Sequence, residues 1–159
     1  VQLPEEAMRK ALKEFPGLPH RCQWVRELNR VVWYNDSKGT NVGATLAAIE
    51  GLAETVSGKL ILIAGGLGKG ADFSPLRQAV KNHVKTLILL GQDADKLAEA
   101  LKGTADIQCV NSLESAVILA NQLGQSGDAV LLSPACSSLD MFVNFEHRGD
   151  RYMQLAREL

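Results

Sequence analysis

Lys59-Leu60-Ile61-Leu62-Ile63-Ala64-Gly65-Gly66 is the stretch that decides the fold. Its unbroken apolar run leaves no polar face, so a strand built from it must be covered on both sides, as in a parallel sheet lying between two layers of helices. The glycine pair then ends the strand. Upstream, Val42, Leu46, Ile49, Leu52 and Val56 recur at spacings of three and four, which predicts a helix over Asn41–Thr55 with one apolar face. Downstream, Ser74-Pro75 predicts a helix start, with Ser as cap and Pro at the first helical position, turning Leu76, Ala79, Val80 and His83 inward. Thr86–Leu90, Asp106–Val110 and Ala129–Ser133 read as further strands. Ala94–Leu101 and Leu113–Leu123 read as helices, the second capped by Ser112 or Asn111, and a last helix is expected from about Asp150 to Leu159. Toward the N-terminus, Gln23–Leu28 and Val31–Asn35, parted by Asn29-Arg30, have the form of a hairpin. Pro4–Lys13 reads as a short helix ending at the linker-like Phe15-Pro16-Gly17-Leu18-Pro19. Strand and helix in alternation give an α/β fold with an open, mostly parallel twisted sheet and helices on both faces.

At 159 residues the chain suits one domain with one sizeable core. A content of 46% hydrophobic and 22% charged residues excludes a disordered charged tail and a fibrous chain. Seventeen Lys and Arg against eighteen Asp and Glu leave a formal charge of -1, so no overall field draws the protein to nucleic acid or to an anionic membrane. Cys22, Cys109 and Cys136 are odd in number and too far apart for a metal motif or a disulfide framework. They are expected as core or near-core thiols of a reducing, cytoplasmic compartment. With no charged-then-apolar leader and no apolar run near the length of a membrane span, neither secretion nor spanning is expected. Val at position 1 suits a segment excised from a longer protein.

The loops after the strands carry the chemistry, because ligands of open α/β sheets sit beyond the carboxyl ends of the strands. Three are unusual: Asn35-Asp36-Ser37-Lys38-Gly39-Thr40-Asn41, Gly65-Gly66-Leu67-Gly68-Lys69-Gly70-Ala71-Asp72, and Ser133-Pro134-Ala135-Cys136-Ser137-Ser138-Leu139-Asp140. If their strands are parallel neighbours, these loops converge. Together they would offer an anionic ligand mobile lysines, directional hydroxyl and amide donors, and close backbone approach at glycine. The glycine segment is not a phosphate loop, since Gly68-Lys69 is followed by Gly70 and Ile63 stands five positions before Gly68. Gly66-x-Gly68-x-x-Ala71 matches a relaxed dinucleotide pattern, yet Ser74-Pro75 places the helix start beyond it. A carboxylate or a reaction intermediate is the better ligand.

Elsewhere, His20-Arg21 could reach a phosphate from beside the proline-rich linker. His147 and Arg148 before Gly149 read as structural, and His83 as a residue of a helix end. No histidine spacing suggests a metal site, and nothing orients Cys136 and His147 as a nucleophilic pair. Trp24, Trp33 and Tyr34 lack interleaved Lys or Arg and read as strand or hairpin residues, not as a base-stacking platform. Phe142 and Phe145 lie three apart, and one of them could wall a pocket at the third loop.

Gly17-Leu18-Pro19-His20-Arg21, Tyr34 to Asn41, the glycine-lysine segment through Ala71-Asp72-Phe73, and Leu132 to Asp140 resemble, in order, motifs of the C-terminal domain of the Mur ligases. The similarity is to those members that add D-glutamate in peptidoglycan synthesis, and it runs from about residue 15 to the end. It implies a Rossmann-like fold. Residues 1–16 would be the end of a preceding central domain or a linker, and 17–159 the amino-acid-binding domain. The missing N-terminal domain would hold the UDP-sugar, and the missing central domain the ATP phosphate loop, the principal Mg2+ ligands and a modified lysine. The implied reaction phosphorylates the carboxylate of UDP-N-acetylmuramoyl-L-alanine with ATP, and the amine of D-glutamate then displaces phosphate through a tetrahedral intermediate. The isolated chain is expected not to ligate.

By the same resemblance Lys69 pairs with a D-glutamate carboxylate, and Thr40, Ser138, the Leu139 amide and Phe145 complete the amino-acid pocket. Arg21 reaches the ATP phosphates with His20 beside the nucleotide, while Asp36 and Lys38 face the nucleotide across the cleft and join Lys69 as the catalytic set. Asn35 and Asn41 shape the first loop. None is a nucleophile, so the domain positions its substrate and neutralises charge. Familiar members carry an acidic residue where Leu67 stands and alanine where Gly39 stands. The alternatives are an inert ligand-binding or interface module and a Mur-type ligase for another amino acid. The Asp-Asn-Pro-Arg motif usual in diaminopimelate-specific relatives is absent from this chain.

Overall fold

The computed structural model describes residues 4–6, 8, 9 and 17–159. The elements run β1 Gln23–Leu28, β2 Val31–Asn35, α1 Val42–Ala53, β3 Leu60–Gly65, a 3-10 turn Ser74–Leu76, α2 Arg77–His83, β4 Val84–Leu90, α3 Ala94–Ala100, β5 Asp106–Cys109, α4 Leu113–Leu123, β6 Ala129–Leu132 and α5 Phe145–Glu158. Six strands form one sheet in the order β1-β2-β6-β3-β4-β5. Every neighbouring pair is parallel except β1 with β2. The fold is therefore the expected open, mostly parallel α/β sheet with an antiparallel hairpin at one edge.

Alternation along β3 assigns the two cores. Leu60, Leu62 and Ala64 face Ile49 and Leu52 of α1, Val80 of α2 and Leu97 of α3. Ile61 and Ile63 face the other way, toward Leu113 and Val117 of α4 and Tyr152 and Ala156 of α5. A strand buried on both faces has no polar positions to spare, which is why KLILIA is continuous. Truncating Ile61 or Ile63 to alanine would leave a cavity costing about 2 to 5 kcal/mol.

The hairpin turn has positive φ at both central residues, Asn29 (53°) and Arg30 (62°), the geometry that matches the twist of paired strands. Alternation along the hairpin buries Trp33 to 1% exposure against Tyr152, 6.2 Å away between ring centres, while Trp24 on the edge strand is 59% exposed.

Three expectations need correction. Ser74 does not cap a helix: Asp72 accepts from its backbone N–H (2.9 Å) and its hydroxyl (2.8 Å), so the chain enters α2 through the 3-10 turn. The last helix starts at Phe145, five residues before Asp150, because Asn144 caps it by accepting from His147 N (2.7 Å). Gly149 lies inside this helix. Of the three free cysteines only Cys136 is buried as a residue; Cys109 ends the edge strand β5 and Cys22 precedes β1, and both residues are exposed, though the Cys22 side chain turns in toward Asp36. Of the expected first helix, Glu5, Glu6, Met8 and Arg9 are helical, with Arg9 paired to Glu5 at 2.8 Å. Its remainder and Phe15-Pro16 lie outside the described residues.

Candidate functional site

Strands β2, β6 and β3 are consecutive parallel neighbours, so the three loops after them meet at one edge of the sheet. Reciprocal backbone bonds between Leu67 and Ser137, both 3.0 Å, join the glycine loop to the loop after β6. Ala135 N donates to Gly39 O (2.9 Å) and Asp36 N to Leu132 O (2.8 Å), joining that loop to the one after β2.

Arg148 of α5 ties the arrangement from beneath. Its buried guanidinium donates to Ser37 Oγ (3.0 Å), Ser37 O (2.9 Å) and Cys136 O (3.3 Å), and Ser37 Oγ donates onward to Phe145 O (2.8 Å). Burial pulls the Arg148 pKa down to about 10, against the opposing influence of Cys136 and Asp140, so the side chain is still cationic at neutral pH. Burial, aided by Asp93, pushes the Cys136 thiol up to about 12, which keeps it protonated at neutral pH.

The loops enclose a cleft of about 440 Å³. Its walls include Thr40, Lys69, Ser138, Leu139 and Phe145, all five residues expected around an amino acid. Asn41, Leu67 and Asn144 complete the rim. Lys69 is exposed and has no carboxylate within ion-pair distance among the described residues. An unneutralised ammonium at the mouth of a partly apolar cleft can receive a carboxylate. Hydroxyls of Thr40 and Ser138 and the Leu139 amide can supply directional bonds.

Of the four residues expected at a nucleotide, His20 and Asp36 are buried, Lys38 is half-buried and Arg21 is exposed. Lys38 places its ammonium 3.8 Å from the centre of the Phe145 ring, a cation–π contact on the cleft wall. His20 is buried: Asn35 Nδ2 and His20 Nδ1 are 2.9 Å apart, its Nε2 lies 3.7 Å from Asp150 Oδ1, and its edge meets the Phe145 ring. Asp36 is buried as well, accepting from Ser133 Oγ (2.6 Å) and Cys22 N (3.1 Å). Desolvation outweighs those bonds and raises the Asp36 pKa, while burial and the nearby Asp36 push the Cys22 thiol up to about 12. Gly39 permits this packing, because a Cβ there would lie 2.4 Å from Asp36 Oδ2 and 2.7 Å from Ser133 Oγ.

A fourth strand end also belongs to the site, and reading only three loops missed it. After β4, Gly91 lies against Gly66, where a Cβ on Gly91 would come within 2.7 Å of the Gly66 backbone. Gln92 N donates to Asp140 Oδ2 (2.8 Å), and Asp93 Oδ2 accepts from Gly68 N (2.7 Å). The rule that selected the other loops would have selected Gly91-Gln92-Asp93, since it too follows an apolar strand. Among the described residues no three His, Cys, Asp or Glu side chains gather to hold a metal ion, and no helix is long and apolar enough to cross a membrane.

Comparison with known proteins gives the chain its relatives. Residues 20–136 match the family "Mur ligase, glutamate ligase domain". The whole chain is 57% identical to 35% of the UDP-N-acetylmuramoylalanine--D-glutamate ligase of Nitrosococcus oceani. Over 97% of the chain it is 60% identical to 34% of the protein of that name from Pseudomonas putida. The chain thus spans about a third of the length of these relatives. Among solved structures, a bifunctional folylpolyglutamate synthase/dihydrofolate synthase from Yersinia pestis superposes with a TM-score of 0.68 at 22% identity, covering 98% of this chain and 35% of that one. A murein peptide ligase from Psychrobacter arcticus gives 0.63 at 15% identity, covering 94% and 32%. These two likenesses speak to the fold alone, whereas the family match and the high identities go further: the chain belongs to the Mur ligase family, as its glutamate ligase domain.

Proposed function

We propose that this chain is the amino-acid-binding part of an ATP-dependent ligase that joins D-glutamate to UDP-N-acetylmuramoyl-L-alanine in peptidoglycan synthesis. The observation that carries the reading is the cleft at the carboxyl ends of β2, β3 and β6, with Lys69 unpaired among the described residues beside Thr40, Ser138 and Phe145. Relatives at 57% and 60% identity that bear this activity in their names support the choice of amino acid. Residues 17–159 form the domain in question, and residues 1–16 lead in from a central domain.

In this reading Lys69 pairs with a carboxylate of D-glutamate, and Thr40, Ser138 and the Leu139 amide fix its orientation against Phe145. The amine attacks the acyl phosphate of the second substrate, the new amide bond forms as phosphate departs, and the amine's proton passes to solvent or base. The chain's contribution is orientation and neutralisation of negative charge, with no covalent step on its own side chains. ATP enters from the cleft shared with the rest of the protein, where Arg21 and Lys38 offer the cations on this side and His20 and Asp36 hold the loop that carries them. Mg2+ ligands and the phosphate loop are assigned to the other domains, and the location to the cytoplasm, where nucleotide-sugar substrates occur.

The test is Lys69→Ala in the multidomain protein. Loss of the cation from a desolvated ion pair should cost about 2 to 5 kcal/mol, or roughly 30-fold to several thousandfold in kcat/KM for D-glutamate. The melting temperature should hold, because the side chain is exposed. Unchanged D-glutamate kinetics in the folded variant would refute the assignment. The isolated chain should release no phosphate from ATP in the presence of both other substrates.

A further inference from the structure

Asp93 occupies the position before α3, where an aspartate ordinarily caps its own helix by accepting from an amide of the first turn. Its side chain makes no such bond. Oδ2 instead crosses to the glycine loop and accepts from Gly68 N at 2.7 Å, Oδ1 pairs with Lys96 Nζ at 2.6 Å, and the backbone N–H of Asp93 donates to Gly66 O at 2.9 Å. The carboxylate is only 5% exposed. Two bonds from one residue therefore bracket Leu67 and fix the backbone immediately before Lys69.

That backbone needs fixing. Ala71 N closes a turn onto Gly68 O at 3.0 Å, with positive φ at both central residues, Lys69 (52°) and Gly70 (77°). This is the mirror-image turn that glycine, asparagine and aspartate favour, and a lysine holds its first central position only where the surroundings impose it. Phe73 supports the turn from below, since a Cβ on Gly68 would lie 2.8 Å from its ring.

We propose that Asp93 is a positioning residue that holds the Gly68-Lys69-Gly70-Ala71 turn in its left-handed form and so aims the Lys69 ammonium at the cleft. The inference rests on the reading of that cleft as the D-glutamate site. The lowered Asp93 pKa, caused by Lys96 and the Gly68 amide, keeps the clasp charged through neutral pH.

The experiment uses the multidomain protein with Asp93→Ala and Asp93→Asn. Asp93→Ala strands the Gly68 amide and should raise KM for D-glutamate about tenfold, with kcat and KM for ATP within about twofold. Asp93→Asn keeps a carbonyl acceptor for Gly68 and should return KM to within about threefold of the parent. Hydrogen exchange of the peptide covering 65–73 should accelerate in Asp93→Ala and not in Asp93→Asn. Should Asp93→Ala fail to fold, Asp93→Glu, which shifts the carboxylate by one methylene, should raise KM in the same way. A folded alanine or glutamate variant with parental KM and parental exchange would overturn the proposal, as would Asp93→Asn behaving like Asp93→Ala. If the parent protein shows no dependence on D-glutamate, it is the reading of the cleft that has failed, and the exchange comparison still decides whether Asp93 clasps the turn.

Discussion

Gly149→Ala should destabilise the protein although the residue sits in the interior of a helix. Helix propensity alone favours alanine there by about 1 kcal/mol. The surroundings reverse the sign. A Cβ on residue 149 would stand 2.2 Å from His20 Nδ1, 2.9 Å from His20 Cε1 and 3.0 Å from Ser37 Cβ. His20 cannot simply swing away, because its ring is buried against Phe145 and paired with Asn35 Nδ2 at 2.9 Å. Moving the ring leaves the buried Asn35 amide without its best acceptor, a loss of about 1 to 3 kcal/mol, and overpacking adds a similar amount. After the propensity gain the net effect is about 3 kcal/mol, or roughly 6 to 12 °C in melting temperature for a chain of this size. Urea unfolding of the chain followed by circular dichroism measures it. His20→Ala in the Gly149→Ala background removes the atoms that collide, so the double variant should be more stable than the sum of the single effects predicts. A Gly149→Ala chain as stable as the parent or more so would refute the reasoning, and additivity in the cycle would show that the collision is not with His20.

Gly65→Ala should abolish soluble folded protein, because its φ is +123° and a Cβ would lie 1.9 Å from Leu90 O in the neighbouring strand; a cooperative melt near the parental temperature would contradict this. Asp128 is buried at the amino end of β6, and although burial opposes its charge, Lys85 and the amides of Lys59 and Gln125 hold its pKa below the usual range. Its contribution to stability is therefore present above the unfolded carboxyl value and is lost as pH falls through the folded one, so Asp128→Asn should flatten the acid limb of stability measured from about pH 5 downward. Asp36 has the opposite sign: its raised pKa means that folding favours the protonated form and that stability falls as pH rises through the folded value. Asp36→Asn should accordingly be neutral or stabilising at pH 7, with the advantage shrinking toward pH 4, while ligation by the multidomain protein falls; a loss of stability that grows with pH would refute the account.

What the sequence revealed follows from which interactions are local. The apolar run Lys59–Ala64 and the three-four spacing from Val42 to Val56 depend on burial patterns written in consecutive residues, so β3 and α1 were legible. The convergence of the three loops followed from strand adjacency and was legible on condition that the strands are parallel neighbours, which β2, β6 and β3 are. The start of α5 was placed at about Asp150, five residues late, because the cap that sets it is Asn144. Gly149 is small for the sake of His20, nearly 130 residues earlier in the chain, and no local pattern records that need. Ser74 failed as a cap for a nearer reason, since its hydroxyl is committed as a donor to Asp72, two residues before it. Asp93 was invisible because its role appears only when the turn after β4 lies against the glycine loop.

The buried polar groups of this edge explain how so much charge can stand there. Among the described residues Arg148 has no carboxylate in ion-pair distance; its positive charge is distributed over the carbonyls of Ser37 and Cys136, one from each of two loops at the cleft. Asp36 likewise turns inward to Ser133 and Cys22, and Asp93 to Gly68 and Lys96. Each of these charges is satisfied beneath the surface and holds backbone in place. Lys69 and Arg21 are left outside with their donors uncommitted among the described residues, and Lys38 rests only on the face of Phe145. An exposed lysine or arginine outside any ion pair meets an anion without first having to break one. Through Lys69, one wall of the cleft thus presents positive charge in a protein whose formal charge is only -1.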